Sequence, residues 1–240
     1  MVSAWLSRYA DVRIVEHGEP RRLTRLPDGR TIIVFRLFAD ERTGDLSVMG
    51  PRTRALFKHA TGLARTVAID LKPGWSMQFL GIPAHALTDR IVHLQELWGA
   101  TGGELLGALL ANPEPRNIVE QLATALATHA STGVDPAAAR LARRAARLLD
   151  AGEVRIGGVA RELGVTERHL RRAFVESIGV GPKDYARHVR LSRALTGASS
   201  GADWGRVAAN AGYYDQAHLI GEFRDLIGLT PNAYARTLTP

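Results

Sequence analysis

The stretch GVGPKDYAR occupies residues 179–187, and GLTPNAYAR occupies residues 228–236. Glycine, proline, tyrosine, alanine and arginine fall at the same places in both, 49 residues apart. Each phrase closes a longer unit, because VARELGVTERHLRRAFVESIGVGPKDYAR (159–187) aligns with VAANAGYYDQAHLIGEFRDLIGLTPNAYAR (207–236). Two units that end alike predict two copies of one small structural module.

Each unit has the pattern of a short helix, a turn and a longer helix. A capping residue, Thr166 or Asp215, precedes the longer helix, in which apolar residues recur at every fourth position. Gly179 and Gly228 supply the left-handed residue that commonly ends a helix. This order predicts a helix-turn-helix, with the tyrosine of each closing phrase packed back on its own unit. Shape alone leaves open a helical repeat without a nucleic-acid partner.

Charge favours DNA binding for the first unit. The chain carries a net charge of +7, and residues 155–195 alone hold nine basic and four acidic residues. On a helical wheel, the longer helix of this unit turns Arg168 and Arg172 away from its apolar side, with Arg171 on the flank. Arginine can donate two hydrogen bonds to a guanine edge in the major groove, and it also binds phosphate. The basic helix is therefore predicted to contact double-stranded DNA.

Residues from about 135 to 240 resemble the DNA-binding domain of the AraC/XylS transcription regulators. The residues that carry the resemblance are Ile156, Val159, Ala160, Gly164, Val165, Thr166, Leu170, Phe174, Gly179, Pro182, Tyr185 and Arg190, then Val207, Ala208, Gly212, Tyr213, Asp215, Gln216, His218, Phe223, Gly228, Pro231 and Tyr234. It implies an all-α domain of seven helices in which a long helix, about 182–197, joins the two units. At ~1.5 Å per residue that helix spans ~24 Å and would set the two longer helices in successive major grooves, ~34 Å apart. It also implies RNA polymerase as a partner.

The resemblance further implies positions for DNA contacts. Base contacts are expected at five residues: Arg168, Arg171, Arg172, Gln216 and His218. Phosphate contacts are expected at four: Thr166, Lys183, Arg187 and Arg224. In the second unit Gly221 stands where an arginine is frequent in the family, and residues 196–240 hold three arginines against four acidic residues. We therefore predict that the first unit dominates base recognition.

Residues 1–134 are predicted to form an α+β domain that is β-rich at its start. LPDGRTIIVFRLF (26–38) has a Pro-Asp-Gly turn followed by a β-branched and aromatic run, and RTVAIDLKPGW (65–75) alternates before a Pro-Gly break. From Thr88 onward, Ile91, Leu94 and Leu97 or Trp98 recur at helical spacing, and NIVEQLATALATH (117–129) also has a helical pattern.

STGVDP (131–136) marks the boundary with the second domain, 135–240. Asp135 can cap the helix that begins there. Arginines form a stripe on that helix, and we expect it to be a solvated face, with phosphate contact as the open alternative. The stripe consists of Arg140, Arg143, Arg144 and Arg147.

The first domain resembles the N-terminal domain of an AraC-like subgroup common in actinobacteria. The resemblance is carried by LPDG (26–29) and LGIPAHALTDRIVHLQELWG (80–99). It implies a sensor or dimerisation role, with a small-molecule effector of unknown identity and a homodimer as expected partners. A cupin-like form is one alternative for this β-rich domain.

Composition excludes several kinds of chemistry. The chain has no cysteine, which excludes disulfides, thiolate nucleophiles and thiolate metal sites and fits a cytoplasmic location. No signal peptide, membrane span or phosphate-binding loop is recognisable, so no membrane partner and no cofactor are expected. His59, His85 and His93 lack the spacing of a metal motif. We predict a regulator rather than an enzyme, with a metal-binding cupin-type enzyme and an interaction protein without DNA binding as alternatives.

Overall fold

The computed structural model describes residues 5–19, 21–130, 136–152, 155–196 and 202–238. A β-rich N-terminal domain is followed by a helical C-terminal domain, which confirms the predicted fold class. The predicted cap Asp135 and the predicted boundary at residues 134 and 135 lie outside the described residues. That boundary therefore stays a prediction.

The described strands form two antiparallel sheets. They are β1 Ala10–Glu16, β2 Arg21–Arg25, β3 Thr31–Phe38, β4 Gly44–Met49, β5 Leu56–Ala60, β6 Leu63–Leu71 and β7 Ile91–His93. Five of them pair in the order β1-β6-β3-β4-β7, and β2 pairs with β5 in a separate ribbon. The strands predicted within residues 26–38 and 65–75 are confirmed as β3 and β6, and both are largely buried.

Helices cover one face of the larger sheet. They are α1 Ser76–Leu80, a 3₁₀ turn Ala84–Leu87, α2 Leu94–Trp98, α3 Ala100–Ala111 and α4 Pro115–His129. The core beneath them includes Phe35, Ile69 and Phe79, each with an exposed fraction of 0%.

The helix expected from Thr88 onward begins later than predicted, although Leu94 and Trp98 do lie in it. Ile91 and Val92 belong to β7, which pairs with β4, because β-branched residues fit the edge of a sheet. The helix begins only at Leu94, where the Glu96 side chain accepts a hydrogen bond from the His93 amide at 2.8 Å.

Seven described helices make up the C-terminal domain, as the family resemblance implied. They are α5 Ala137–Ala151, α6 Ile156–Glu162, α7 Glu167–Ile178, α8 Pro182–Thr196, α9 Trp204–Ala211, α10 Gln216–Ile227 and α11 Pro231–Leu238. Helix α8 corresponds to the predicted joining helix. We call α7 and α10, the longer helices of the two units, the reading helices.

Capping side chains fix where the reading helices begin, and left-handed glycines fix where they end. The Thr166 hydroxyl accepts a hydrogen bond from the His169 amide at 3.2 Å, and the Asp215 carboxylate accepts one from the His218 amide at 2.7 Å. Gly179 ends α7 with φ 88°, a left-handed conformation that a side chain would strain. The predicted caps and helix ends are confirmed.

Each unit has its own small core. Tyr185 lies edge-on to Phe174, with ring centroids 5.6 Å apart, and Tyr234 lies edge-on to Phe223 at 6.0 Å. All four rings are buried. The repeated phrase GxxPxxYAR therefore ends one helix, starts the next and returns a tyrosine to the core of its unit.

Candidate nucleic-acid interface

The outer face of α7 holds the three arginines that were predicted to contact bases. Arg168, Arg171 and Arg172 are exposed, whereas Leu170 and Phe174 on the opposite side are fully buried. The 3.6-residue period of the helix explains why the two sides differ, since apolar residues at every fourth position lie on one face, and that face packs against the core. The first unit thus presents a compact group of cations to solvent.

The N-terminal domain lies beside this basic face. A cleft of about 480 Å³ separates α1 and the 3₁₀ turn from α7. It is lined on one side by Met77, Pro83 and His85, and on the other by Arg168, Arg171, Arg172, Val175 and Glu176. A DNA duplex that reaches these arginines must therefore also pass close to the N-terminal domain.

The outer face of α10 is much poorer in charge. Gln216 and His218 are exposed, but the His218 ring lies 3.8 Å from a Glu222 oxygen and packs edge-on to Tyr213 at a centroid distance of 5.4 Å. Gly221 has open space around it, with no atom within 4 Å of a Cβ built there. The helix therefore offers few side chains that could reach a base.

A groove of about 910 Å³ runs between α8 and α10. Its base is Glu222, which is only 7% exposed. The Arg187 Nε donates to Glu222 Oε1 at 3.0 Å, and the Arg190 Nη2 donates to the same oxygen at 3.1 Å. A carboxylate so nearly buried needs cationic partners, and these two arginines attach the second reading helix to the joining helix.

The sequence carried a signal for this contact that the pattern analysis missed. Glu222 stands between the apolar positions Leu219 and Phe223 of α10, on the side that faces the core. An acidic residue there predicts a buried ion pair. Arg187 and Arg190 are three residues apart on α8 and therefore share one face.

The four predicted phosphate contacts occupy different surroundings. Lys183 and Arg224 are exposed and line the groove between α8 and α10. Thr166 is exposed, but its hydroxyl already caps α7.

Arg187 has a side chain only 22% exposed and is held by Glu222 and Asp225. Burial disfavours its charge, but hydrogen bonds to Asp225 and Glu222 outweigh that effect and raise its pKa. Lys183 and Arg224 are therefore the two exposed cations of this set.

Among the described residues, no group of three or more histidine, aspartate or glutamate side chains could hold a metal ion. None of the helices in those residues combines the length and the apolar composition that spanning a bilayer requires.

Two family models match the chain. A model described as a helix-turn-helix domain matches residues 159–237, and one described as a domain of unknown function (DUF6597) matches residues 2–93. A search of the curated proteins finds no match.

Solved structures of regulators share a loose likeness with the chain. ToxT from Vibrio cholerae O395 is 12% identical to this chain; the alignment covers 96% of this chain and 97% of ToxT, with a TM-score of 0.46. A probable AraC family transcriptional regulator from Rhodopseudomonas palustris CGA009 is 25% identical over 42% of this chain and 99% of its own, with a TM-score of 0.36. The C-terminal domain of AraT, a response regulator from Geobacillus stearothermophilus, is 24% identical over 40% of this chain and 84% of its own, with a TM-score of 0.38. TM-scores this low carry no weight in the assignment.

The helix-turn-helix match begins in α6 and ends in α11, so it contains both units and the helix that joins them. Residues 159–237 therefore form an AraC-type helix-turn-helix domain, the DNA-binding part of a transcription regulator.

Proposed function

We propose that this protein is a sequence-specific regulator whose two reading helices enter successive major grooves of one duplex, under the control of its N-terminal domain. The exposed arginine face of α7 carries the proposal. Exposed cations grouped on one helix are poorly explained by packing, whereas they complement the guanine edges and phosphates of DNA. The second unit is attached to the same joining helix, which spans ~22 Å at ~1.5 Å per residue.

The two units contribute unequally in this proposal. Arg168 and Arg172 supply base contacts from α7, and Gln216 is the best-placed base contact of α10. His218 is partly held by Glu222 and Tyr213, and Gly221 has no side chain to offer. We assign the second unit mainly to phosphate, through Lys183 and Arg224.

The test begins with selection of bound duplexes from a random pool by the full-length protein. Arg172→Ala, His218→Ala and the control Arg116→Ala, an exposed arginine of α4, are then titrated with the selected duplex. We expect Arg172→Ala to lose ~5- to 100-fold in affinity and to relax the preference at one base pair, the effect of removing a bidentate contact. His218→Ala should lose much less, and Arg116→Ala nothing.

Two results would count against the proposal. Equal losses for Arg172→Ala and His218→Ala would contradict the asymmetry between the units. Failure of the unaltered protein to retain any duplex at ~50 mM salt would contradict DNA binding itself, since a protein that neutralises several phosphates binds most tightly at low salt.

We also propose an effector site in the N-terminal domain. A cavity of about 200 Å³ lies between the larger sheet and the β2–β5 ribbon, over a floor of Ile32, Val34 and Ala68. Among its described lining residues five are basic and none is acidic: Arg13, His17, Arg25, Arg36 and Lys58. Arg13, Arg25 and Arg36 are each paired with an aspartate outside the lining, so Lys58 is the cation best able to bind an anion there. Apolar walls beside a cation suit a small organic anion with an apolar body.

A thermal-shift series tests this site. Short-chain carboxylic acids should raise the melting temperature of the full-length protein, and their primary amides should not, because the amides lack the negative charge. Equal shifts for both series would contradict the proposed charge selectivity. From the resemblance to AraC/XylS regulators alone, we further propose a cytoplasmic location, contact with RNA polymerase and a homodimer.

A further inference from the structure

Two loops of the N-terminal domain lie against the C-terminal ends of both reading helices. They are residues 51–55, which follow β4, and residues 84–89, which include the 3₁₀ turn. We call these two loops the platform. His85 of the second loop faces the α7 arginines across the cleft described above, but Thr88 and Asp89 do not line that cleft.

The platform meets the end of α7 at Gly179. The Thr88 hydroxyl donates a hydrogen bond to the Gly179 carbonyl at 2.7 Å. A Cβ on Gly179 would lie 2.8 Å from Pro51 Cγ and 3.0 Å from the Ala84 carbonyl oxygen. Both loops are therefore in close contact with the residue that ends the first reading helix.

The platform meets the end of α10 at Leu226. The Ala55 amide donates to the Leu226 carbonyl at 2.8 Å. Leu226 lies in the last turn of α10, where backbone carbonyls have no partner within the helix. Ala55 also packs against the core of the second unit, together with Leu26 and Phe57.

Hydrogen bonds of Asp89 connect the two loops of the platform to each other. Its carboxylate accepts hydrogen bonds from the Thr53 amide, at 3.0 Å, and from the Thr53 hydroxyl. Its own amide donates to the Pro51 carbonyl at 2.8 Å, and its carbonyl accepts from Arg52 at 3.0 Å. Asp89 has φ 59°, a left-handed conformation that aspartate adopts more readily than most residues.

We propose that the platform is a brace that fixes the separation and angle of the two reading helices, with Asp89 as its positioning residue. Within the C-terminal domain the two units are joined through helix α8, to which α10 is held by Glu222. The platform adds a second attachment to each unit at the far end of its reading helix and so restricts bending or twisting of that joint. The half-site spacing that the protein accepts is then set by the N-terminal domain. This inference rests on the proposed function.

The experiment measures how sharply the full-length protein discriminates half-site spacing. The probes are the selected duplex and the same duplex with two base pairs inserted between the half-sites. The insertion turns the second half-site by ~70° and moves it by ~7 Å, given 10–10.5 base pairs per turn of ~34–36 Å. The unaltered protein should bind the longer duplex at least ~10-fold more weakly, as for a mismatched site.

Asp89→Gly removes the carboxylate while allowing the left-handed backbone. It should reduce the spacing discrimination by roughly three- to tenfold, the factor that corresponds to the loss of one net hydrogen bond. Binding to a duplex with only the first half-site should stay within ~twofold of the unaltered protein, because Asp89 touches no reading face. Thr88→Val keeps the shape of the side chain but removes the hydroxyl that donates to Gly179. It should also reduce the discrimination between the two half-site spacings, and it replaces Asp89→Gly as the test if that variant does not fold.

Thr43→Val is the matched control, because the Thr43 hydroxyl also donates to an aspartate in an exposed loop, Asp40, outside the platform. Unchanged discrimination in both Asp89→Gly and Thr88→Val would overturn the brace. An unaltered protein that binds both duplexes equally well would also overturn it, while leaving DNA binding intact. An unaltered protein that retains no duplex would overturn the proposed function and the brace together.

Discussion

Replacing Glu222 by glutamine removes the negative charge that holds the second unit on the joining helix. The carboxylate is 7% exposed and accepts hydrogen bonds from Arg187 and Arg190. Glutamine has nearly the same shape and keeps one acceptor oxygen. The substitution therefore tests the charge of the pair with little change in packing.

The expected cost follows from the burial of the three side chains. Removing one partner of a fully buried ion pair costs ~3–5 kcal/mol. The Arg187 and Arg190 side chains are 22% and 16% exposed, so water can replace part of the lost interaction. We expect Glu222→Gln to lower the free energy of unfolding of the C-terminal domain by ~2 kcal/mol, between the buried value and that of an exposed pair.

Urea denaturation at neutral pH, followed by circular dichroism, measures this loss. Asp225→Asn is the matched control, because Asp225 binds the same Arg187 but lies in solvent. Its denaturation midpoint should coincide with that of the unaltered protein. Equal midpoint shifts in the two variants, or none in Glu222→Gln, would refute the reasoning from burial.

Three further predictions concern single positions. Gly179→Ala should lower the free energy of unfolding by ~1 kcal/mol more than Gly228→Ala in the same denaturation assay: both positions are left-handed, but only Gly179 has platform atoms within 3 Å of a Cβ. Gly221→Arg should raise DNA affinity and steepen the salt dependence by roughly one unit of log–log slope relative to Gly221→Ala, because it adds one exposed cation to α10. Burial lowers the pKa of His188 to about 4. Because the histidine of the unfolded chain takes up a proton near pH 6.5, the free energy of unfolding should fall by up to ~3 kcal/mol as the pH drops from 6.5 to 4. His188→Asn should make the free energy of unfolding less dependent on pH over that range.

Features governed by short-range rules could be predicted from the sequence. Thr166 and Asp215 cap their helices because a side-chain oxygen at that position can reach an amide three residues on. The arginine face of α7 follows from the helical period alone. Gly179 was recognised as the end of a helix, but its packing against the platform was not, since that contact joins residues that are distant in sequence.

Arg143 shows how such long-range contacts overturn a local expectation. The stripe on α5 was expected to be solvated, but the Arg143 guanidinium lies 3.8 Å from the centre of the Trp75 ring and donates to the Gly74 carbonyl at 3.0 Å. An aromatic face is a favourable partner for a guanidinium. Nothing within the α5 sequence indicates that Arg143, unlike the other arginines of the stripe, contacts the N-terminal domain.

Hydroxyl-radical footprinting of the full-length protein on its selected duplex tests the central claim most directly. Two reading helices in successive major grooves should protect two tracts of backbone on one face of the DNA, centred ~10 base pairs apart, with stronger protection around the tract read by α7. A single protected tract, or two tracts on opposite faces, would contradict the placement of both units on one duplex.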